Sequence, residues 1–227
     1  MIQALRKLVT FDDFIAWYPE NSLQRYELHD GVIVEMSPPT GDHEEIIGFL
    51  ALEISVEIRR LKLPYFIPKT AFIKPLEGDS AYSPDVLILN QPNLVNEPRW
   101  KKESTVSQAE SIPLAIEVVS QCVARVPRVK ATDEPVRVST NWRDDYLKKA
   151  ADYEAVGIPE YWIVDYAALG GRRFIGNPKQ PTISIYSLVE GEYQVRQFLQ
   201  GERLISQVFP ELNLAAEQIF QVGSVPS

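Results

Sequence analysis

One acidic residue inside an apolar run places the strongest constraint on the fold of this chain. Residues 113–120 have the sequence PLAIEVVS, in which Glu117 is surrounded by side chains typical of a fully buried strand. An isolated ionised carboxylate is too costly to persist in an apolar interior. Glu117 must therefore be paired with a cationic group, be protonated or bind a cation, and the fold must bring that partner to the strand.

The other segments predict a central mixed sheet with flanking helices. Asp30-Gly31 lies between two alternating runs and predicts a hairpin, and PDVLILN at 84–90 predicts a strand inside the sheet. Asp42 and Glu45 resemble a capping box that starts a helix of about 17 residues. Residues 90–112 predict a loop. We expect an α/β (α+β) fold in a single domain spanning 1–227, with an irregular excursion at about 121–140.

Composition narrows the class of protein. The chain has 227 residues, 45% of them hydrophobic, and no apolar run approaches the roughly 20 residues that span a bilayer. The single cysteine excludes an internal disulfide, so we expect a cytoplasmic protein without membrane contact. Two histidines and one cysteine give no plausible tetrahedral zinc cluster. A net charge of -8 argues against holding nucleic acid by bulk electrostatics, so any such contact must be local.

Two carboxylates and one lysine are the strongest candidates for chemistry. Asp85 begins a predicted buried strand and Glu117 lies inside the next, so the two carboxylates are expected to converge in a site suited to Mg²⁺. On the following helix, Lys149 falls at the edge of the apolar face and is expected to reach the sheet, whereas Lys148 is expected to be solvated. At about 100° per residue, the apolar face contains Tyr146, Leu147, Ala150, Ala151 and Tyr153, and the opposite face contains Asp144, Lys148 and Asp152.

Glu27 and His43 are accessory candidates. Glu27 could point inward from the first hairpin as an additional carboxylate, but the sequence favours a surface acid. His43 lies at a helix N-terminus, where it could contact a phosphate, although a histidine there is more often solvated. Asp145 lies four residues before Lys149 and could pair with it. Simpler explanations stay open for the main candidates too, because Asp85 could be an ordinary strand-entry residue and Glu117 could pair with an arginine.

Several motifs together resemble a known family. SPDV at 83–86, IEVVS at 116–120 and DYLKKAADYEAVGIPEYWIVD at 145–165 are similar to the restriction-endonuclease family abundant in cyanobacteria, a branch of the PD-(D/E)XK nuclease superfamily. The likeness runs from about Tyr26 to Tyr186. The superfamily pattern is Pro-Asp, a spacer and Glu-X-Lys, but this chain has Val119 where that lysine is expected. The resemblance assigns the lysine role to Lys149.

The resemblance implies a metal-dependent nuclease. Asp85 and Glu117 would hold Mg²⁺ or Mn²⁺ with help from a backbone carbonyl near Val118, and Lys149 would orient the attacking water or stabilise the transition state. The implied substrate is DNA and the implied assembly is a homodimer with a restriction-endonuclease-like core. Two other functions stay open: a non-catalytic nucleic-acid-binding or regulatory protein, and a structural subunit of a homodimer whose acids serve only as ion-pair partners.

Overall fold

The computed structural model describes residues 8–19, 24–120, 137–139 and 142–223. The strands are β1 Tyr26–His29, β2 Val32–Met36, β3 Tyr65–Phe66, β4 Phe72–Ile73, β5 Val86–Asn90, β6 Thr105–Val106, β7 Leu114–Val118, β8 Arg137–Ser139, β9 Glu160–Asp165, β10 Thr182–Val189 and β11 Glu192–Phe198. The α-helices are α1 Phe11–Trp17, α2 Gly41–Leu61, α3 Trp100–Glu103, α4 Ala150–Val156, α5 Arg172–Ile175 and α6 Ala216–Val222. Among these helices, none is long and apolar enough to cross a membrane.

A six-stranded mixed sheet forms the centre of the fold and confirms the predicted fold class. Its strand order is β11-β10-β9-β7-β5-β3, with β7 and β9 parallel and the other neighbours antiparallel. The strand predicted from PLAIEVVS is β7, and the strand predicted from PDVLILN is its neighbour β5. Because Val86 pairs with Ile116, the same register brings Asp85 alongside Glu117.

The two faces of this sheet are covered by different helices. Ile116 and Val118 of β7 pack in one apolar cluster with α2 and α6, whereas Ala115 and Val119 pack in a second cluster with the helix that contains Tyr153. Side chains alternate along a strand, so Glu117 lies on the same face as Ala115 and Val119. That face is the one covered by α4 and the helical segment before it.

A smaller sheet closes one end of the central sheet. β1 and β2 form the predicted hairpin, with Asp30 and Gly31 at φ 49° and 74°, and β8 pairs parallel to β2. A side chain at position 31 would be strained by that positive φ and would place its Cβ 2.8 Å from Leu8. Leu28 and Ala81 exchange backbone hydrogen bonds of 3.0 and 2.8 Å. This pairing fixes β1 beside the segment that leads into Asp85.

The second helix begins earlier than its sequence predicts. α2 starts at Gly41 and has 21 residues, and the hydroxyl of Thr40 accepts the backbone N–H of His43 at 3.3 Å. The predicted capping box of Asp42 and Glu45 is therefore wrong, because Thr40 already caps the first turn. The predicted loop at 90–112 is also partly wrong, since it contains α3, β6 and 3-10 turns at Gln91–Asn96 and Ala109–Ser111.

The helix that carries the two lysines is not uniformly α-helical. Asp144–Lys149 form a π-helical segment that continues into α4. A π-turn contains more residues than an α-turn, so side chains before and within it are rotated relative to the 3.6-residue period. As a result, Leu147 is 44% exposed instead of lying on the apolar face, and Asp144 is buried instead of solvated. The excursion predicted at about 121–140 lies outside the described residues except for β8.

Candidate active site

Glu117 is paired with a lysine from the adjacent helix. Its side chain is 5% exposed, and Lys149 Nζ donates a hydrogen bond to Glu117 Oε1 at 2.9 Å. The hydroxyl of Tyr153 donates to the same oxygen at 3.4 Å. Lys149 is itself 2% exposed, as expected for the edge of the apolar face. The ammonium group of Lys149 is thus a cationic partner of the kind that the sequence requires for Glu117.

Glu27 lies inside the same cluster, so its interpretation as a surface acid is wrong. It is 1% exposed, and its carboxylate lies against Ser83, His29 and Lys149. Its Oε1 accepts the backbone N–H of Ser83 at 2.8 Å and lies 3.4 Å from Lys149 Nζ, and its Oε2 lies 2.8 Å from His29 Nε2. Burial raises the pKa of Glu27, but Lys149, His29 and the Ser83 N–H outweigh it and hold that pKa at about 2.

Asp145 is the third carboxylate around Lys149. Its Oδ1 lies 3.5 Å from Lys149 Nζ. Burial and the nearby charges of Asp85 and Glu27 raise the pKa of Asp145 to about 7, against the opposing effect of Lys149. Burial likewise raises the pKa of Glu117 well above its usual value, and Asp85 and Asp145 add to that effect. Three carboxylates therefore share one lysine, and the cluster contains more acidic groups than cationic ones.

Lys149 remains charged in this environment. Burial alone would lower its pKa, but the surrounding carboxylates of Glu117, Glu27 and Asp145 more than offset that effect and raise the pKa of Lys149 well above its usual value. Its neighbour Lys148 instead pairs with Asp30 at 2.6 Å and Asp152 at 3.4 Å, and its side chain is 24% exposed. Lys149 is thus buried, whereas the adjacent Lys148 lies closer to the surface.

Asp85 is held at the entry to β5 by backbone of the neighbouring strand. The N–H of Val118 donates to Asp85 Oδ2 at 2.9 Å, and Arg25 approaches Asp85 Oδ1 to 3.7 Å. Arg25 is 43% exposed, so this part of the site reaches the solvent. The expected convergence of Asp85, Glu117 and Lys149 is therefore present, and it depends on the β5–β7 register and on the helix packed over it.

His43 is buried against the same backbone, so its interpretation as a solvated residue is wrong. It is 4% exposed, its Nε2 donates to the carbonyl oxygen of Val118 at 3.1 Å, and the same nitrogen lies 3.4 Å from Asp85 Oδ2. Burial lowers the pKa of His43, but the hydrogen bond and charge of Asp85 more than compensate and raise it above its usual value. The earlier helix start at Gly41, capped by Thr40, places His43 inside the first turn of α2, where it packs against the end of β7.

All five residues singled out from the sequence line one pocket of about 60 Å³. Arg25 and His29 are among the further polar residues of this lining that sequence reasoning missed. The motif YELHDG holds a signal for His29, because it lies two residues after Glu27 and thus on the same face of β1. Arg25 precedes the strand and carries no comparable signal.

The donor set of this pocket fits a hard divalent cation. The carboxylates of Asp85 and Glu117 and the carbonyl oxygen of Val118 are the oxygen ligands that Mg²⁺ and Mn²⁺ take in proteins. Within the described part of the chain, no group of three or more His, Cys, Asp or Glu side chains is already arranged to hold a metal ion. A cation must therefore compete with Lys149 for Glu117, and the surplus of carboxylates favours that competition.

Comparisons with known proteins identify the fold and the family of this chain. A crystal structure described as "a putative nuclease belonging to DUF820" from Anabaena variabilis superposes with a TM-score of 0.65 and 16% identity, covering 95% of this chain and 99% of that one. The mixed sheet and its helices are thus a nuclease-like α/β fold. The family model Uma2, described as "Putative restriction endonuclease", matches residues 11–129 and 138–217. The chain belongs to this family, which confirms the resemblance found in its motifs. The search of curated proteins gives no significant match.

Proposed function

We propose that this protein is an endonuclease that uses Mg²⁺ or Mn²⁺ to hydrolyse phosphodiester bonds in DNA. The observation that supports it best is the cluster around Lys149, in which Glu117, Glu27 and Asp145 lie within 3.5 Å of one buried ammonium group. Asp85 adds a further carboxylate from the adjacent strand in the same pocket. Such an excess of buried acids is costly without a cation, and metal-dependent phosphodiester hydrolysis is the chemistry that uses one.

Asp85, Glu117 and the carbonyl oxygen of Val118 would hold the cation. When bound, the cation supplies the Lewis acidity that polarises a phosphate and lowers the pKa of water. No side chain of the pocket has to act as a nucleophile.

Lys149 stabilises negative charge and does not accept protons. Its carboxylate neighbours keep it protonated, so it presents an ammonium group toward the position where charge develops on the phosphate. Glu117 and Asp145 fix that group from two sides, at 2.9 and 3.5 Å. Arg25, at the exposed side of the pocket, offers a planar guanidinium that suits a phosphate oxygen.

The position of Lys149 also weakens the main argument for a non-catalytic protein. That argument rests on Val119, which stands where the superfamily pattern has a lysine. Because Lys149 reaches Glu117 from the helix, an ammonium group is next to the acid without a Glu-X-Lys sequence. The cleavage experiment below distinguishes a catalytic role of Glu117 and Lys149 from a purely structural one.

Cleavage of supercoiled plasmid DNA tests the proposal. The wild type is expected to nick or linearise the plasmid with Mg²⁺ or Mn²⁺, and Glu117→Gln and Asp85→Asn are expected to lose about a hundredfold or more of that rate. The matched control is Glu160→Gln, another buried acid of the sheet, whose carboxylate accepts hydrogen bonds from Trp162 and Ser206 away from the pocket. Circular dichroism checks that each variant is folded.

Two results would contradict the proposal. The first is a wild type that neither cleaves plasmid nor shows a heat of binding of either sign with Mg²⁺ or Mn²⁺ in calorimetry. The second is cleavage that survives in both folded site variants, which would assign the activity to another protein in the preparation. Cutting both strands of a duplex requires two such pockets, so we also expect a homodimer on duplex DNA, measurable by light scattering with the uncleaved complex in Ca²⁺.

A further inference from the structure

The ring of His43 points at the oxygen atoms that the proposed function assigns to the cation. Its Nε2 lies 3.1 Å from the carbonyl oxygen of Val118 and 3.4 Å from Asp85 Oδ2. Two donors bound at right angles to one divalent ion, each at about 2.1 Å, are about 3.0 Å apart. The distances from Nε2 to these two oxygens are thus close to the distance between two ligands of a single ion.

The second ring nitrogen of His43 is available for the proton that Nε2 must give up to bind a cation. A metal-ligating histidine usually donates this second N–H to a carboxylate or carbonyl outside the ligand shell. His43 Nδ1 has no hydrogen-bond partner among the described residues, and Glu44 Oε1 lies 4.0 Å from it. The ring is buried in the capped first turn of α2, so its direction is set by the fold.

We infer that His43 is a metal ligand through Nε2, completing the oxygen donors of Asp85, Glu117 and Val118. This inference rests on the proposed function. A nitrogen donor raises the affinity for later first-row ions more than for Mg²⁺. The pocket therefore prefers Mn²⁺ or Co²⁺ to Mg²⁺ by a wider margin than oxygen ligands alone would give. In the competing explanation, His43 only donates a hydrogen bond that orients Asp85.

Pulsed electron paramagnetic resonance of bound Mn²⁺ separates these explanations without using activity. A directly bound nitrogen is expected to modulate the Mn²⁺ signal, and the modulation is expected to change when histidine is labelled with ¹⁵N. The chain has two histidines, so His29→Gln is the matched control and is expected to keep the coupling. His43→Gln is expected to lose it, and in calorimetry to reduce the preference for Mn²⁺ over Mg²⁺ by about tenfold.

The possible failures are distinguishable. If Mn²⁺ binds to the wild type without histidine nitrogen coupling, His43 is not a ligand, while the proposed metal site stands. If the coupling persists in His43→Gln and disappears in His29→Gln, the ligand is the other histidine and the inference is overturned. If no Mn²⁺ binds to the wild type, both the inference and the proposed function fail. Should His43→Gln not fold, the isotope comparison in His29→Gln still decides, because His43 is the one histidine left in that variant.

Discussion

Replacing Lys149 by methionine should destabilise the metal-free protein strongly. The substitution keeps an unbranched side chain of nearly the same length but removes the ammonium group close to Glu117, Glu27 and Asp145, which lie 2.9, 3.4 and 3.5 Å from Nζ. Removing one partner of a buried ion pair costs about 3–5 kcal/mol. For a chain of this size, each kcal/mol corresponds to about 2–4 °C in Tm, so a fall of roughly 10 °C is expected.

The adjacent lysine provides the matched control. Lys148→Met removes a pair with Asp30, which is 74% exposed, and surface pairs contribute about 0–1 kcal/mol. Both variants would be melted in EDTA near pH 8 and again near pH 5. Protonation of the carboxylates relieves the uncompensated charge, so the loss in Lys149→Met should shrink at the lower pH. Equal falls in Tm for the two variants would refute the conclusion that Lys149 neutralises the buried acids.

Three further predictions concern the same groups. Mn²⁺ at about 100 times its Kd should raise the free energy of unfolding of the wild type by about 2.7 kcal/mol, and Glu117→Gln should abolish this gain in thermal melts. Because the pKa of Asp145 is raised to about 7, its ionised form opposes folding above that pH; Asp145→Asn should raise Tm near pH 8, with the gain shrinking toward pH 4. Glu160→Gln should lower the stability by about 2 kcal/mol, because both oxygens of Glu160 accept hydrogen bonds and the new amide N–H groups must face donors at one of the two positions. It should leave the heat of Mn²⁺ binding unchanged in calorimetry.

The main strands and the buried position of Glu117 can be predicted from the sequence. The apolar runs of β5, β7 and β9 predict buried strands, and a glutamate inside such a run requires a partner whatever the fold. Helical periodicity places Lys149 near the sheet, because Lys149, the last residue of the π-helical segment, lies four residues before Tyr153 of α4 and both contact Glu117. The catalytic roles of Asp85, Glu117 and Lys149 stay predictions until cleavage is measured.

The predictions that were wrong concern residues whose environment is not set by the local sequence pattern. The alternation in β1 cannot show that Glu27 is buried, because its carboxylate lies against Ser83 and Lys149, which are far from it in the sequence. The exposure of Leu147 follows from the π-helical segment, which helix propensities of the local sequence do not predict. His43 was misjudged because a single hydroxyl, that of Thr40, moves the start of α2.

The peptide groups of Val118 serve the pocket while its side chain serves the opposite face of the sheet. Its N–H binds Asp85 and its carbonyl oxygen accepts from His43, whereas its methyl groups pack among the residues of α2 and α6. Any residue that fits the core can therefore occupy this position without altering the pocket, and only proline would remove the donor to Asp85. The amino acid found at position 118 in related sequences would therefore reflect only the packing of its side chain. The contacts with Asp85 and His43 come from backbone groups, which do not depend on the identity of that side chain.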